Sequence, residues 1–394
     1  MRLWPLLDAG VAFASVPVLA ATGYLGYLAL RSREVTPPPS REPHLRFDVV
    51  VPAHDEEAGI AETVKSLLAI DYPRSLFRVV VVADNCSDAT AARAREAGAV
   101  VLERFDEKNR GKGHALAHAF EKSLAGDADA VVVVDADTTV SENLLRAFAA
   151  HLDAGEMALQ AEYGVRNPDA SWRTRLMVIA MSLFHDVRSR ARERMDLSCG
   201  LRGNGMAFAR ELLEEVPHDA FSIVEDVEYG LRLAEAGHRV GYVGEASVLG
   251  EMVSSGEAAR SQRLRWEAGR QALRKRGLAL LVRGIAERDA MLFDLGLDVV
   301  LPPLSKIAVA TVAVGAAAGL VAVGSLASGR APIAWIPAVA SGALLGVYVA
   351  RGVQLSGLGA RGVATLAWAP VYVVWKATLG RQKPSTWVRT RRET

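Results

Sequence analysis

Two carboxylates stand two residues apart in Val131-Val-Val-Val-Asp-Ala-Asp137, where an unbroken β-branched run gives way to acid. Hard divalent cations take oxygen ligands, and Mg2+ is commonly held by one or two carboxylates together with substrate phosphates. Asp135 and Asp137 are therefore candidate ligands for such an ion. An Asp after a strand also caps turns and helices without any metal, so the pair alone leaves both readings open. Two more β-branched runs end on polar residues: Phe47-Asp-Val-Val-Val-Pro52 leads into Ala-His-Asp-Glu56, and Arg78-Val-Val-Val-Val-Ala-Asp84 into Asn-Cys-Ser-Asp88. Farther on come Ser222-Ile-Val-Glu-Asp226 and Ser261-Gln-Arg-Leu-Arg-Trp266.

Such groups need a frame. Strands are expected at 47–52, 78–84, 100–102 and 130–135, and helices at 57–69, 87–97, 112–125 and 141–153. Strand–helix alternation predicts an α/β fold with a mostly parallel sheet covered on both faces, and unbroken apolar runs suit strands buried on both sides. Ligands of such sheets bind at the carboxyl ends of the strands, which is where the polar residues lie.

The chain also carries membrane-like material. The AVILMFWYC set makes up 51% of 394 residues and charged residues 23%, with a mean hydropathy of +0.16; that is too apolar for a wholly soluble protein and too charged for a wholly embedded one. Residues 10–30 hold no charge and are long enough to cross a bilayer. Residues 1–34 thus read as an uncleaved anchor, 35–46 as a Pro-rich linker, and 299–350 as a hairpin of two spans after an interfacial connector at 277–298. Residues 351–394 read as an interfacial helix at 363–379 followed by a basic tail; a fourth span there would put that tail outside, against the positive-inside rule. Arg31 and Arg33 after the first span place the following domain in the cytoplasm, so a multi-pass protein of the cell (inner or plasma) membrane is expected. The 46 Lys+Arg against 45 Asp+Glu argue against a nucleic-acid partner. Cys86 and Cys199, far apart and without paired spacing, argue against a zinc site or disulfide framework. The Arg-rich stretch 172–194 reads as an amphipathic helix near the membrane or as a solvated charged face, and Asp186 and Glu193, which dilute its charge, favour the latter.

In order and spacing, Asp84, Asp135-Ala-Asp137, Glu225-Asp226 and Gln262-Arg-Leu-Arg-Trp266 resemble the membrane-bound family-2 glycosyltransferases, the group of cellulose, chitin and hyaluronan synthases, over residues 47–276. The resemblance implies a GT-A fold, flanked here by transmembrane helices at both ends. It also implies transfer of a sugar, with inversion, from a nucleotide-diphosphate sugar, commonly a UDP sugar, to an acceptor. It makes Asp84 the contact to the nucleotide base and places 52–56, with Pro52 and Glu56, beside base and ribose; His54-Asp55 stand where Tyr-Asn is common, which puts those two contacts in doubt. Asp137 becomes a ligand of Mg2+ or Mn2+ and Asp135 a neighbour of ribose or metal, while Lys112 lies near the nucleotide. Asp226 becomes the general base that takes the acceptor proton. Glu225, Gln262 and Trp266 fall on the acceptor side. Arg265 offers a planar guanidinium to the diphosphate, and the i, i+3, i+4 spacing puts Gln262, Arg265 and Trp266 on one helix face. The glycine-rich 197–205 resembles the acceptor-side loop.

The partners implied are a nucleotide-sugar donor, the bilayer, and a membrane lipid or glycan acceptor, as in polysaccharide or cell-envelope synthesis. Two spans and an interfacial helix after the domain offer little wall for a polymer channel, which favours a lipid-linked or other membrane acceptor. Two rival readings remain. The strand ending in Asp135-Ala-Asp137 also looks like the first motif of haloacid-dehalogenase-like phosphatases, with Asp135 as nucleophile, although no G-D-x-x-x-D setting follows. A non-catalytic membrane scaffold would be expected to have lost Asp137, Asp226 or Arg265, and all three are present.

Overall fold

The computed structural model describes residues 3–252 and 256–377, and side chains of the long helix Gly256–Glu287 only at 268–269 and from 271 onward. Eight strands form one sheet: β1 (Phe47–Ala53), β2 (Phe77–Asp84), β3 (Val100–Arg104), β4 (Ala130–Val133), β5 (Thr138–Val140), β6 (Ala158–Val165), β7 (Met206–Ala209) and β8 (Val240–Gly250). The spatial order is β3-β2-β1-β4-β7-β6-β8-β5. The half built from the expected strands is parallel throughout, β3-β2-β1-β4. The other half is mixed: β7 runs antiparallel to β4 and β6, and β5 antiparallel to β8, while β6 and β8 are parallel.

Alternation along the buried strands sends side chains to both faces. Val49 and Val51 of β1 pack with Ile60, Val64, Leu67 and Phe148 on one side, and Val50 packs with Leu116, Phe120 and Phe208 on the other. Strand β4 stops at Val133, two residues before the expected end, which leaves Asp135 and Asp137 in the turn to β5. Helices Ile60–Leu68, Thr90–Glu96, Lys112–Leu124 and Leu144–Asp153 occupy the expected gaps.

Among the described residues three helices are long and apolar enough to cross a membrane: Leu3–Arg31, Leu304–Ala327 and Trp335–Leu355. Tight contacts join them. A Cβ on Gly26 would lie 2.8 Å from Leu344, and one on Gly324 only 2.4 Å from the Trp4 indole, so glycine lets the helices approach closely. Asp8 accepts hydrogen bonds from the backbone N–H of Ile333 and Ala334 at 2.8 and 2.9 Å, at the start of the third helix.

Two regions gain detail. The stretch expected as a connector at 277–298 is helical: it continues the helix Gly256–Glu287 and folds back as Ala290–Val300. Leu280, Leu292 and Leu295 there pack with Leu231 and Ala234. The helix expected at 363–379 is Gly359–Thr365, a short 3-10 turn and Ala369–Ala377, and Trp368 stacks on Trp172 at 5.2 Å. The basic tail from 378 onward lies outside the described residues.

Candidate active site

Backbone strain marks the loops that leave β1 and β2. Asp55 and Asn85 have φ of 53° and 51°, a left-handed conformation that Asn and Asp tolerate better than most residues. The loops are pinned together: His54 Nδ1 donates to the Asp84 carbonyl at 2.7 Å, Ser87 N donates to Asp55 at 2.7 Å, and Glu56 N donates to Thr90 Oγ1 at 2.7 Å. Pro52 closes β1 beside them. Asp84, 5% exposed, does not stand alone. Arg104 at the end of β3 donates to its Oδ1 at 2.6 Å and to Asp106 at 3.1 Å.

At the end of β4 a second constellation forms. Lys112, in the first turn of its helix, donates to Asp135 Oδ1 and to the Gly203 carbonyl, both at 2.5 Å, and lies 3.9 Å from Glu225. One ammonium thus ties the strand end to the 197–205 loop and to the start of helix Glu225–Glu235. Gly203 has φ of 82°, and a Cβ there would stand 3.2 Å from Asp226 Oδ2 and 3.6 Å from Lys112 Nζ. The loop is held from below by Asn204, which accepts from Asp135 N at 3.1 Å and donates to Thr138 at 2.8 Å. Gln160 of β6 holds it too, accepting from Arg202 N and donating to the Asn204 carbonyl, both at 2.8 Å. Asp137 accepts from Thr138 Oγ1 at 3.4 Å.

Crowding of acids sets the electrostatics. Burial, chiefly, pushes the Glu225 carboxyl up to about 8, against the pull of Lys112 and with added repulsion from Asp226. Burial likewise raises Asp226, again opposed by Lys112. Burial opposes the charge on Lys112, but Asp135 and Glu225 outweigh it and hold the ammonium above its ordinary value. Beneath the group, the Tyr163 phenol is raised well above its ordinary value by burial first and then by Asp135, Asp137 and Asp226.

For the Mg2+ or Mn2+ that the resemblance implies, the nearby donors are all oxygen: Asp135 and Asp137, with Glu225 and Asp226 close by and Lys112 as their countercharge. That set suits a hard divalent ion. Asp55, Cys86 and Asp88 also gather within 4.8 Å of one another. Burial pushes the Cys86 thiol up, and both carboxylates accept hydrogen bonds within the loops, so this group fastens the loops to each other.

Structure thus brings Lys112, Asp135, Asp137, Glu225 and Asp226 together, with Pro52, Glu56 and Asp84 along the neighbouring strand ends. The side chains of Gln262, Arg265 and Trp266 lie outside the described residues. Their helix passes the site one turn later: a Cβ on Gly269 would be 2.3 Å from Val224, the residue before Glu225. Arg104, Gln160 and Asn204 were not expected. Arg104 offered only its place at the end of a β-branched run, and Gln160 and Asn204 belong to strands and turns whose sequence pattern is weak.

Residues 43–269 match the family "Glycosyltransferase like family 2". The beta-monoglucosyldiacylglycerol synthase of Synechocystis sp. is 31% identical over 269 residues, which are 64% of this chain and 55% of that protein. The hyaluronan synthase of Streptococcus pyogenes is 33% identical over 34% of each chain. The matched region spans little more than half the length of the first of these relatives. Among solved structures, a mannosyltransferase of Pyrobaculum calidifontis, in complex with GDP-Man and Mn2+, superposes with a TM-score of 0.55 at 22% identity, covering 88% of this chain and 99% of that one. That likeness carries the GT-A fold, and the phosphatase reading of Asp135 falls to the family match. With its acids gathered at the strand ends and the family matched over more than half of its length, this chain belongs to glycosyltransferase family 2.

Proposed function

We propose that the protein is an inverting glycosyltransferase that moves a sugar from a nucleotide-diphosphate sugar, a UDP sugar first among them, to a hydroxyl of a membrane-associated acceptor. The observation that carries this reading is the convergence on one carboxyl-end site of Asp135, held by Lys112, and of Asp226, held against Gly203. In the reaction Asp226 takes the acceptor proton as the oxygen attacks the anomeric carbon, and its raised affinity for protons suits a base in a poorly solvated site. Asp84, fixed by Arg104, reads the base beside Pro52 and Glu56. Lys112 lies where a diphosphate would be met; the resemblance assigns Arg265 to the diphosphate as well, and Glu225, Gln262 and Trp266 to the acceptor side. Asp135 and Asp137 would hold Mg2+ or Mn2+, an ion that would offset charge on a departing diphosphate.

A lipid acceptor is favoured over a growing chain. The similar Synechocystis protein is named for a glucosyldiacylglycerol product, and three apolar helices adjoin the domain here. The catalytic domain faces the cytoplasm, with Arg31 and Arg33 at that end of the first span. The test is calorimetric titration of the detergent-solubilised full chain with UDP, with and without Mn2+. Metal-dependent binding is expected to survive in Asp226→Asn, which abolishes turnover, and to weaken by on the order of tenfold or more in Asp137→Ala. Equal loss of binding in both variants would contradict the assigned roles. Mass spectrometry of the product reads chain length, and a ladder of long polymers from the purified protein would overturn the lipid acceptor.

A further inference from the structure

The Arg-rich segment 172–194 is no solvated charged face. Arg190 turns to Glu34 and Glu162 at 3.4 and 3.5 Å. Arg188 and Arg192, 4% and 0% exposed, turn inward to the helix Ala290–Val300. There Arg192 Nε donates to Asp294 at 2.6 Å and Arg188 Nη1 to Asp298 at 2.7 Å. Two apolar helices reach the same cluster. The Tyr24 hydroxyl donates to Asp294 and accepts from Arg192, both at 2.8 Å; the Tyr348 hydroxyl accepts from Arg188 at 3.0 Å and donates to the Leu183 carbonyl.

Among the described residues two arginines pair with two aspartates. A third arginine stands apart: Arg202 makes no ion pair with any carboxylate among the described residues. Its Nη2 donates to the Cys199 carbonyl at 2.8 Å. Its guanidinium lies 4.7 Å from the centroid of the Phe184 ring, which Arg188 also flanks at 4.8 Å. Arg202 Nε is buried without a partner among the described residues, and so is Nη1 of Arg192. Burial, opposed by Asp298 and reinforced by Arg192 and Arg188, lowers the proton affinity of Arg202. A guanidinium nonetheless stays charged, and Arg202, partly exposed, sets one positive charge beside Asp226, whose proton affinity it lowers, with its Nε donor still unmet among the described residues. Its position is telling: Arg202 precedes Gly203, which abuts Asp226, and its ring partner Phe184 leads through Arg188 to Tyr348 of an apolar helix.

We propose that Arg202 holds the phosphate of an anionic membrane lipid whose free hydroxyl is the acceptor, approaching from the side of the half-buried Phe184. The inference rests on the glycosyl-transfer reading and names its substrate class. The lipid hydroxyl oxygen forms the new bond to the anomeric carbon. The bond from that carbon to the diphosphate breaks with its electron pair going to the diphosphate, and the proton passes to Asp226. A guanidinium matches a phosphate through paired N–H donors. A soluble phosphate ester offers the same chemistry, and the apolar helices beside the cluster select the lipid.

The test titrates the full chain in detergent micelles with dioctanoylphosphatidylglycerol, with neutral dioctanoylglycerol, and with glycerol 3-phosphate. The wild type is expected to bind the phospholipid on the order of tenfold more tightly than the neutral lipid. Arg202→Gln should lose that preference and Arg202→Lys keep part of it, while both bind UDP as the wild type does, which also reports on folding. A wild type without preference, or an Arg202→Gln that keeps it, would overturn the proposal; glycerol 3-phosphate binding as tightly as the phospholipid would overturn the lipid. Failure of the wild type to bind UDP would remove UDP as the donor separately, since the lipid preference is read without the donor.

Discussion

Gly203 is where one missing carbon matters most. Its φ of 82° is open to glycine, and any side chain would meet Asp226 at 3.2 Å. Gly203→Ala should therefore strain the loop by about 1–2 kcal/mol and push the base from its place. Turnover is expected to fall on the order of tenfold or more, with a thermal midpoint only a few degrees lower; an enzyme of unchanged rate would mean that Asp226 does not need this contact. Much of the site was legible because its chemistry is local: Asp84, Asp135, Asp137 and Glu225-Asp226 each sit at the end of a strand or the start of a helix that the sequence marks. The residues that hold them were not. Arg104 meets Asp84 across 20 positions, and Gln160 meets the Asn204 carbonyl across 44, so neither pairing leaves a spacing to read. Arg188 and Arg192 look like surface charge in the sequence because their partners, Asp294 and Asp298, lie more than 100 residues on.

Elements follow the same division. The parallel half of the sheet was readable from runs such as Val79–Val82, buried on both faces. Strands β5 to β8 are short, or are broken by glycine and polar residues, and carry no such run; β6 and β8 even shift register between Ala161 and Glu162. What locks this weaker half is a charged clamp. His151, at the end of helix Leu144–Asp153, sets its two ring nitrogens against Glu156 at 3.1 Å and Glu245 of β8 at 3.0 Å. Burial opposes its charge, yet the two carboxylates raise it to about 9 from an ordinary 6.5. A raised histidine contributes stability that is fully present below about 6.5 and is lost as pH rises through about 9. Each pK unit is worth about 1.4 kcal/mol, so a few kcal/mol are at stake. Thermal unfolding should show the midpoint of the wild type falling across this window more steeply than that of His151→Gln. Parallel curves for the two would remove the clamp.

At the scale of the whole molecule, three apolar helices and the sheet domain meet through polar contacts as well as apolar ones. Arg188 and Arg192 join both Tyr24 and Tyr348 to the domain, and apolar packing of Leu25, Ile179, Leu183 and Tyr348 surrounds them. Tyr348→Phe removes one partner of a buried guanidinium and is expected to cost about 1–3 kcal/mol. Midpoints in detergent for the full chain would measure it, and a loss below a few tenths of a kcal/mol would mean that the joint does not bear on stability. The bond from Asp8 to Ile333 and Ala334 spans more than 320 residues, and its consequence concerns biogenesis. Until the start of the third apolar helix has been made, the Asp8 carboxylate has neither of these backbone partners, so this joint between the two helices closes only after the sheet domain between them has been synthesised.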